Sequence, residues 1–214
     1  MPQFRDRAGA GKALAGIVAP LLGGDDALVL GLPRGGVVVG RALADELGLR
    51  LDVVVVRKLG VPGQEEYGFG AIGEGGVVTL DQATLAAVGL SQGQIAAVES
   101  RERFELERRV AAYVGARVPE SLAGRTVVLV DDGIATGGTM RAAITVCRAR
   151  EAARVLVAVG VAPRDTLSSL AKEADAAVAL LVPEPMMSVG EWYEDFRQVS
   201  DDEVSAALEP GAPR

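Results

Sequence analysis

The feature that most constrains this chain is a series of short apolar runs set apart by helix-length segments. The runs cover residues 27–30, 51–56, 126–130, 155–161 and 176–182. Runs this short, rich in valine and leucine, suit strands rather than helices. Val53-Val54-Val55-Val56 has no polar alternation and reads as a strand buried on both faces. Between the runs, residues 6–22 place Leu14, Ile17, Val18 and Leu21 at helical spacing. Further helices are expected at 37–47, 91–116, 138–149, 163–172 and 201–208. Strands alternating with helices predict an α/β fold: an open, mostly parallel sheet of about five strands with helices on both faces. In such sheets a ligand sits beyond the carboxyl ends of the strands.

The pattern breaks between residues 59 and 80. Glycine recurs there at 60, 63, 68, 70, 73, 75 and 76 without a helical period. This reads as a long flexible loop, a lid or a surface excursion, with a hairpin around 69–79. Residues 1–182 are expected to form the core including this loop, and 183–214 a small C-terminal hood. The helix at 91–116 alternates Glu99, Arg101, Glu102, Arg103, Glu105, Arg108 and Arg109, which reads as a solvated face.

Composition removes several function classes. The formal net charge is -7, without the basic field of a general nucleic-acid binder. There is no histidine, so no Ser-His-Asp triad and no His-ligated zinc site can form. A single cysteine, Cys147, cannot make an intramolecular disulfide, which fits a cytoplasmic setting. The N-terminal apolar stretch is short and interrupted by charge, so neither a cleaved signal peptide nor a membrane span is expected.

After the run at 126–130 come Asp131, Asp132, Gly133, Ile134, Ala135, Thr136, Gly137, Gly138 and Thr139. Small residues let backbone N–H groups converge on an anion, and the following helix start adds partial positive charge. Two carboxylates would repel that anion if they faced it. They make sense beside a diol one sugar-length from a phosphate, as in ribose 5-phosphate. Two other strand ends add cations. Arg34-Gly35-Gly36 follows the first run, and Arg57-Lys58 the second. Both suit phosphate oxygens.

The stretch Val127 to Thr139 resembles the phosphoribosyl pyrophosphate (PRPP) signature of the type I phosphoribosyltransferases. The resemblance implies that Asp131 and Asp132 contact the ribose hydroxyls, with a part in catalysis, and that Gly133 through Thr139 bind the 5-phosphate. It implies a pyrophosphate loop at Arg34, Gly35 and Gly36, with the Arg34–Gly35 bond the candidate for a cis peptide, and pyrophosphate contacts from Arg57 and Lys58. Met187 or Trp192 would stack on the acceptor in the hood, although Trp192, Tyr193 and Phe196 equally suit packing of the tail. Tyr67 is the best lid candidate, since 62–76 holds Glu65, Glu66 and Glu74 but no cation. The implied reaction moves ribose 5-phosphate from PRPP to a nitrogen acceptor, a nucleobase, and releases pyrophosphate. Mg²⁺ would be bound mainly through PRPP, with Asp131 or Asp132 contributing through water. The implied partners are PRPP and a small acceptor, with homodimer formation left open. A PRPP-sensing regulator without turnover is the alternative. An NADP-binding oxidoreductase, with Arg57 on the 2′-phosphate, is a minor one.

Overall fold

The computed structural model describes residues 3–114 and 120–209. The chain opens with α1 (Arg7–Leu22), whose first turn is capped by Asp6 accepting from the Gly9 N–H at 2.7 Å. There follow β1 (Ala27–Gly31), α2 (Gly35–Leu47) and β2 (Arg50–Val53). The second half supplies β6 (Thr126–Gly133), α5 (Gly138–Ala149), β7 (Arg154–Val161), α6 (Arg164–Leu170) and β8 (Ala176–Leu181). Together they form a five-stranded parallel sheet in the order β2-β1-β6-β7-β8.

Alternation along the central strands sorts the core into two faces. Val29, Val128 and Val130 pack with Leu14, Val18 and Leu43 of α1 and α2. Leu28, Leu30, Val127 and Leu129 pack with Met140, Ile144 and Val146 of α5. Each such side chain, fully buried, contributes about 1.5–3 kcal/mol. The sheet is covered on both faces.

The structure corrects the reading of 51–56. The valine run is not one strand. β2 ends at Val53, Val54 and Val55 cross over, and β3 (Val56–Val61) belongs to another sheet. Val54 and Val55 are both fully buried at this junction, so no polar residue marks the crossing.

It also corrects the loop. Residues 56–80 form a three-stranded antiparallel sheet of β3, β4 (Gln64–Gly73) and β5 (Val77–Leu80), in that order. The hairpin expected near 69–79 is the β4–β5 pair, with Ala71 opposite Thr79. Gly60, Gly70 and Gly73 allow close backbone approach, with a bulge at Leu59–Val61, while Gly63, Gly75 and Gly76 take positive φ. Leu59, Phe69 and Ile72 pack with Ile95, Val98 and Leu106 of α4 (Gln92–Tyr113). A short α3 (Gln82–Val88) precedes α4. Residues 115 and 116 of the expected helix lie outside the described residues, as do 210–214 of the expected hood.

Residues 183–209 hold a cis Glu184–Pro185 bond, a turn of 3₁₀ helix at Gly190–Trp192, and α7 (Asp201–Leu208). Among the described residues, no helix is long and apolar enough to cross a membrane.

Candidate active site

At the carboxyl end of β6 the backbone turns through Ile134 to Gly137 into α5. Gly137 takes φ +80°, a left-handed conformation that a side chain would strain. The carbonyls of this turn are tied backwards. Thr166 Oγ1 donates to the Ala135 carbonyl and Arg141 Nη1 to the Thr136 carbonyl, both at 2.9 Å. Arg141 is itself fixed by Glu173 at 2.9 Å. With the carbonyls held from behind, the first N–H groups of α5 are left for an external acceptor. Gly137, the residue before α5, offers no side-chain cap to compete. Lys58 lies directly over this turn. A Cβ on Gly138 would stand 3.2 Å from its ammonium nitrogen.

Asp131 and Asp132 stand at the strand end, both partly exposed. The Asp132 N–H donates to Asp131 Oδ1 at 2.9 Å. Burial, reinforced by the neighbouring Asp132 charge, holds the Asp131 carboxyl well above the usual carboxylate range. Asp132 is restrained from three directions. Arg7 Nε donates to its Oδ2 at 2.7 Å, with the two side chains only 11% and 14% exposed. Tyr193 donates its hydroxyl to the Asp132 carbonyl at 2.6 Å. Gly35 lies against the carboxylate so closely that a Cβ there would overlap Oδ2. Arg7 is fixed in turn. It donates to the Arg197 carbonyl at 2.8 Å and lies 4.0 Å over the Phe196 ring.

A cavity of about 490 Å³ opens beside these residues. Asp131, Thr136, Gly138 and Thr139 form one wall, and Pro33, Arg57 and Lys58 another. The third wall comes from α4, through Arg101, Glu102 and Arg109.

The phosphoribosyl transferase domain, as a family model, matches residues 7–180. The chain belongs to the phosphoribosyl transferase family. Two Mycobacterium tuberculosis proteins, from strains CDC 1551 and H37Rv, each provisionally named phosphoribosyl transferases, are 46% identical over 209 residues, 98% of this chain. The chain spans about half the length, 47%, of these curated relatives. Among solved structures, that of TT1426 from Thermus thermophilus superposes with a TM-score of 0.90 at 44% identity, covering 97% of this chain and 98% of that one.

Within this member of the phosphoribosyl transferase family the expected site residues are not all brought together. Asp131, Thr136, Gly138, Thr139, Arg57 and Lys58 meet at the cavity. Gly35 and Gly36 back onto the acidic pair, Gly36 being packed against Val130 and Asp131. Arg34 turns away to α7, 3.7 Å from Asp201. The cis peptide is Pro33–Arg34, one bond earlier than expected. Arg57 lies on β3 rather than at the end of β2, so the ribose-proximal position of an NADP fold is not where that reading needed it. Met187 is 80% exposed. Trp192 gives its carbonyl to the Gln3 and Phe4 N–H groups, tying the tail to the N-terminus. Tyr67, on β4, is 49% exposed.

Sequence reasoning missed Arg7, Tyr193 and the three α4 residues. Arg7 is 125 positions from its partner, and no local pattern announces the pair. Glu102 did leave a signal: it stands in the buried stripe of Ile95, Val98 and Leu106.

Proposed function

We propose that this protein transfers the 5-phosphoribosyl group of PRPP to a nitrogen acceptor, a nucleobase, and releases pyrophosphate. The observation that carries the reading is one cavity where the Asp131 carboxylate, the start of α5 and the cations Arg57 and Lys58 face each other. The turn and α5 hold the 5-phosphate, the acidic pair accepts from the ribose hydroxyls, and Arg57 and Lys58 face the pyrophosphate. The acceptor nitrogen forms a bond to the anomeric carbon as the bond to pyrophosphate breaks, and pyrophosphate leaves with the electron pair. The residues orient the reactants and stabilise the departing charge. Asp132 is engaged by Arg7, which leaves Asp131, with its raised proton affinity, to take the acceptor proton.

Among the described residues no cluster of three or more acidic or cysteine ligands could enclose a metal. Mg²⁺ would be carried by PRPP oxygens and water, with Asp131 or Asp132 reached through a water. When bound, the ion neutralises charge on the pyrophosphate. A homodimer and a cytoplasmic setting remain part of the proposal.

Glu65 in the cavity wall, on a segment 62–76 that holds no cation, favours a second reading, a regulator that binds PRPP without turnover. The experiment is pyrophosphate release from PRPP with Mg²⁺ across a panel of purine, pyrimidine and other nitrogen acceptors. Release with one acceptor supports transfer and names the base. PRPP binding without release for every acceptor supports the regulator.

A further inference from the structure

A carboxylate in the apolar stripe of a helix is expensive unless it is paired, and replacing such pairs with apolar residues is often neutral or stabilising. Glu102 occupies that position on α4, between Val98 and Leu106, and is only 8% exposed. Its Oε2 accepts from Arg57 Nε at 2.9 Å and Nη2 at 2.6 Å. Its Oε1 accepts from Arg101 Nε at 3.0 Å. One carboxylate thus joins a β3 arginine and an α4 arginine, and all three line the cavity. Nearly one turn further along, Glu105 holds Arg109 Nε at 2.9 Å, and Arg109 lines the same cavity. Both α4 arginines are anchored through Nε, which leaves the outer ends of the guanidinium forks for a ligand. With Lys58 the walls carry four cations against the carboxylates of Glu65, Glu102 and Asp131.

The geometry points to Arg101 and Arg109 of α4 as an additional polyphosphate subsite, with Glu102 a positioning residue that holds Arg57 and Arg101 in one anion clamp. This rests on the transfer reading and deepens it, because the subsite takes the pyrophosphate end of PRPP. It also answers the absence of a cation from residues 62–76: the charge comes from a helix later in the chain. The anchoring carboxylates already hold the arginines through Nε, so less side-chain freedom is lost on binding.

The test is calorimetric titration of the full chain with inorganic pyrophosphate and Mg²⁺, and separately with PRPP. Arg101→Gln/Arg109→Gln is expected to weaken pyrophosphate binding at least about tenfold, the loss of one charge-assisted hydrogen bond. Arg103→Gln, on the same helix but paired with Glu99 at 2.6 Å, is expected to bind as wild type. Glu102→Gln, which keeps an acceptor of the same shape for Arg57, is expected to weaken pyrophosphate binding with little change in the thermal midpoint, whereas a purely structural role would lower the midpoint and leave pyrophosphate binding unchanged. Wild type that binds pyrophosphate alongside an unaffected double variant would overturn the subsite alone. Wild type that binds neither pyrophosphate nor PRPP would overturn the transfer reading together with it.

Discussion

At the scale of single residues, the two neighbouring acids occupy different surroundings, and this separates their roles. Asp132 is paired with Arg7 and set against Gly35; Asp131 faces the cavity. Asp132→Asn is expected to weaken PRPP binding about tenfold in calorimetry, since a charge-assisted hydrogen bond to the ribose becomes a neutral one. Unchanged affinity would remove the diol role. Asp131 carries a different signature. Its folded-state proton affinity is raised above the ordinary value of 3.8, first by burial and then by Asp132. The folded state therefore binds more protons than the unfolded chain between the two values. The stability Asp131 contributes is full below the ordinary value and is lost as pH rises through the folded one. Asp131→Asn is expected to melt above wild type at neutral pH, with the gap closing towards pH about 4. A gap that does not change with pH would show that the carboxyl is not strained by its site. The acidic pair and the glycine turn were legible in sequence because they are contiguous. Arg7 and Tyr193 were not, since their partners lie 125 and 61 positions away and only the folded chain joins them.

At the scale of elements, the parallel sheet was legible because its runs are apolar and its crossovers are helical. The antiparallel sheet was not. Its strands alternate buried side chains with glycines, and glycine hides the period of two that marks a strand. Within the strands the glycines stand where a neighbouring backbone or side chain comes close. At Gly73 on β4, a Cβ would stand 2.5 Å and 2.8 Å from the two γ-methyls of Val146 on α5. Valine is stiff at χ1 and fully buried here, so it has little room to yield. Gly73→Ala is expected to destabilise by about 1–3 kcal/mol, read from the urea midpoint. In a Val146→Ala background the same change should cost much less, because the clash is gone. Equal costs in both backgrounds would place the strain elsewhere. The charge run of α4 was read as solvated for a similar reason. Helical spacing gives which residues share a face, but not which element that face meets. Glu102 meets β3.

At the scale of the whole molecule, both ends of the described chain converge on the acidic pair. Phe4 pairs with Tyr193 in a parallel bridge, with ring centroids 5.1 Å apart. Tyr193 stacks on Phe196 at the same separation, and Phe196 carries the Arg7 guanidinium. Tyr193 is buried, and burial pushes its hydroxyl proton affinity up, so it remains a donor to Asp132 across the working pH range. The tail is thus tied to Asp132, which the proposed function places at the ribose. A ligand that binds only the folded state at a hundred times its dissociation constant adds about 2.7 kcal/mol of stability. PRPP with Mg²⁺ is therefore expected to raise the thermal midpoint and to slow proteolysis within residues 190–200. Tyr193→Phe removes the hydroxyl and leaves the Asp132 carbonyl short of a partner, at about 1–3 kcal/mol. It should also reduce the PRPP-induced rise at a fixed ligand concentration, because Asp132 is less well held. If Tyr193→Phe lowers the midpoint but shows the same PRPP-induced rise as wild type, the tail only stabilises the fold and has no hold on the site.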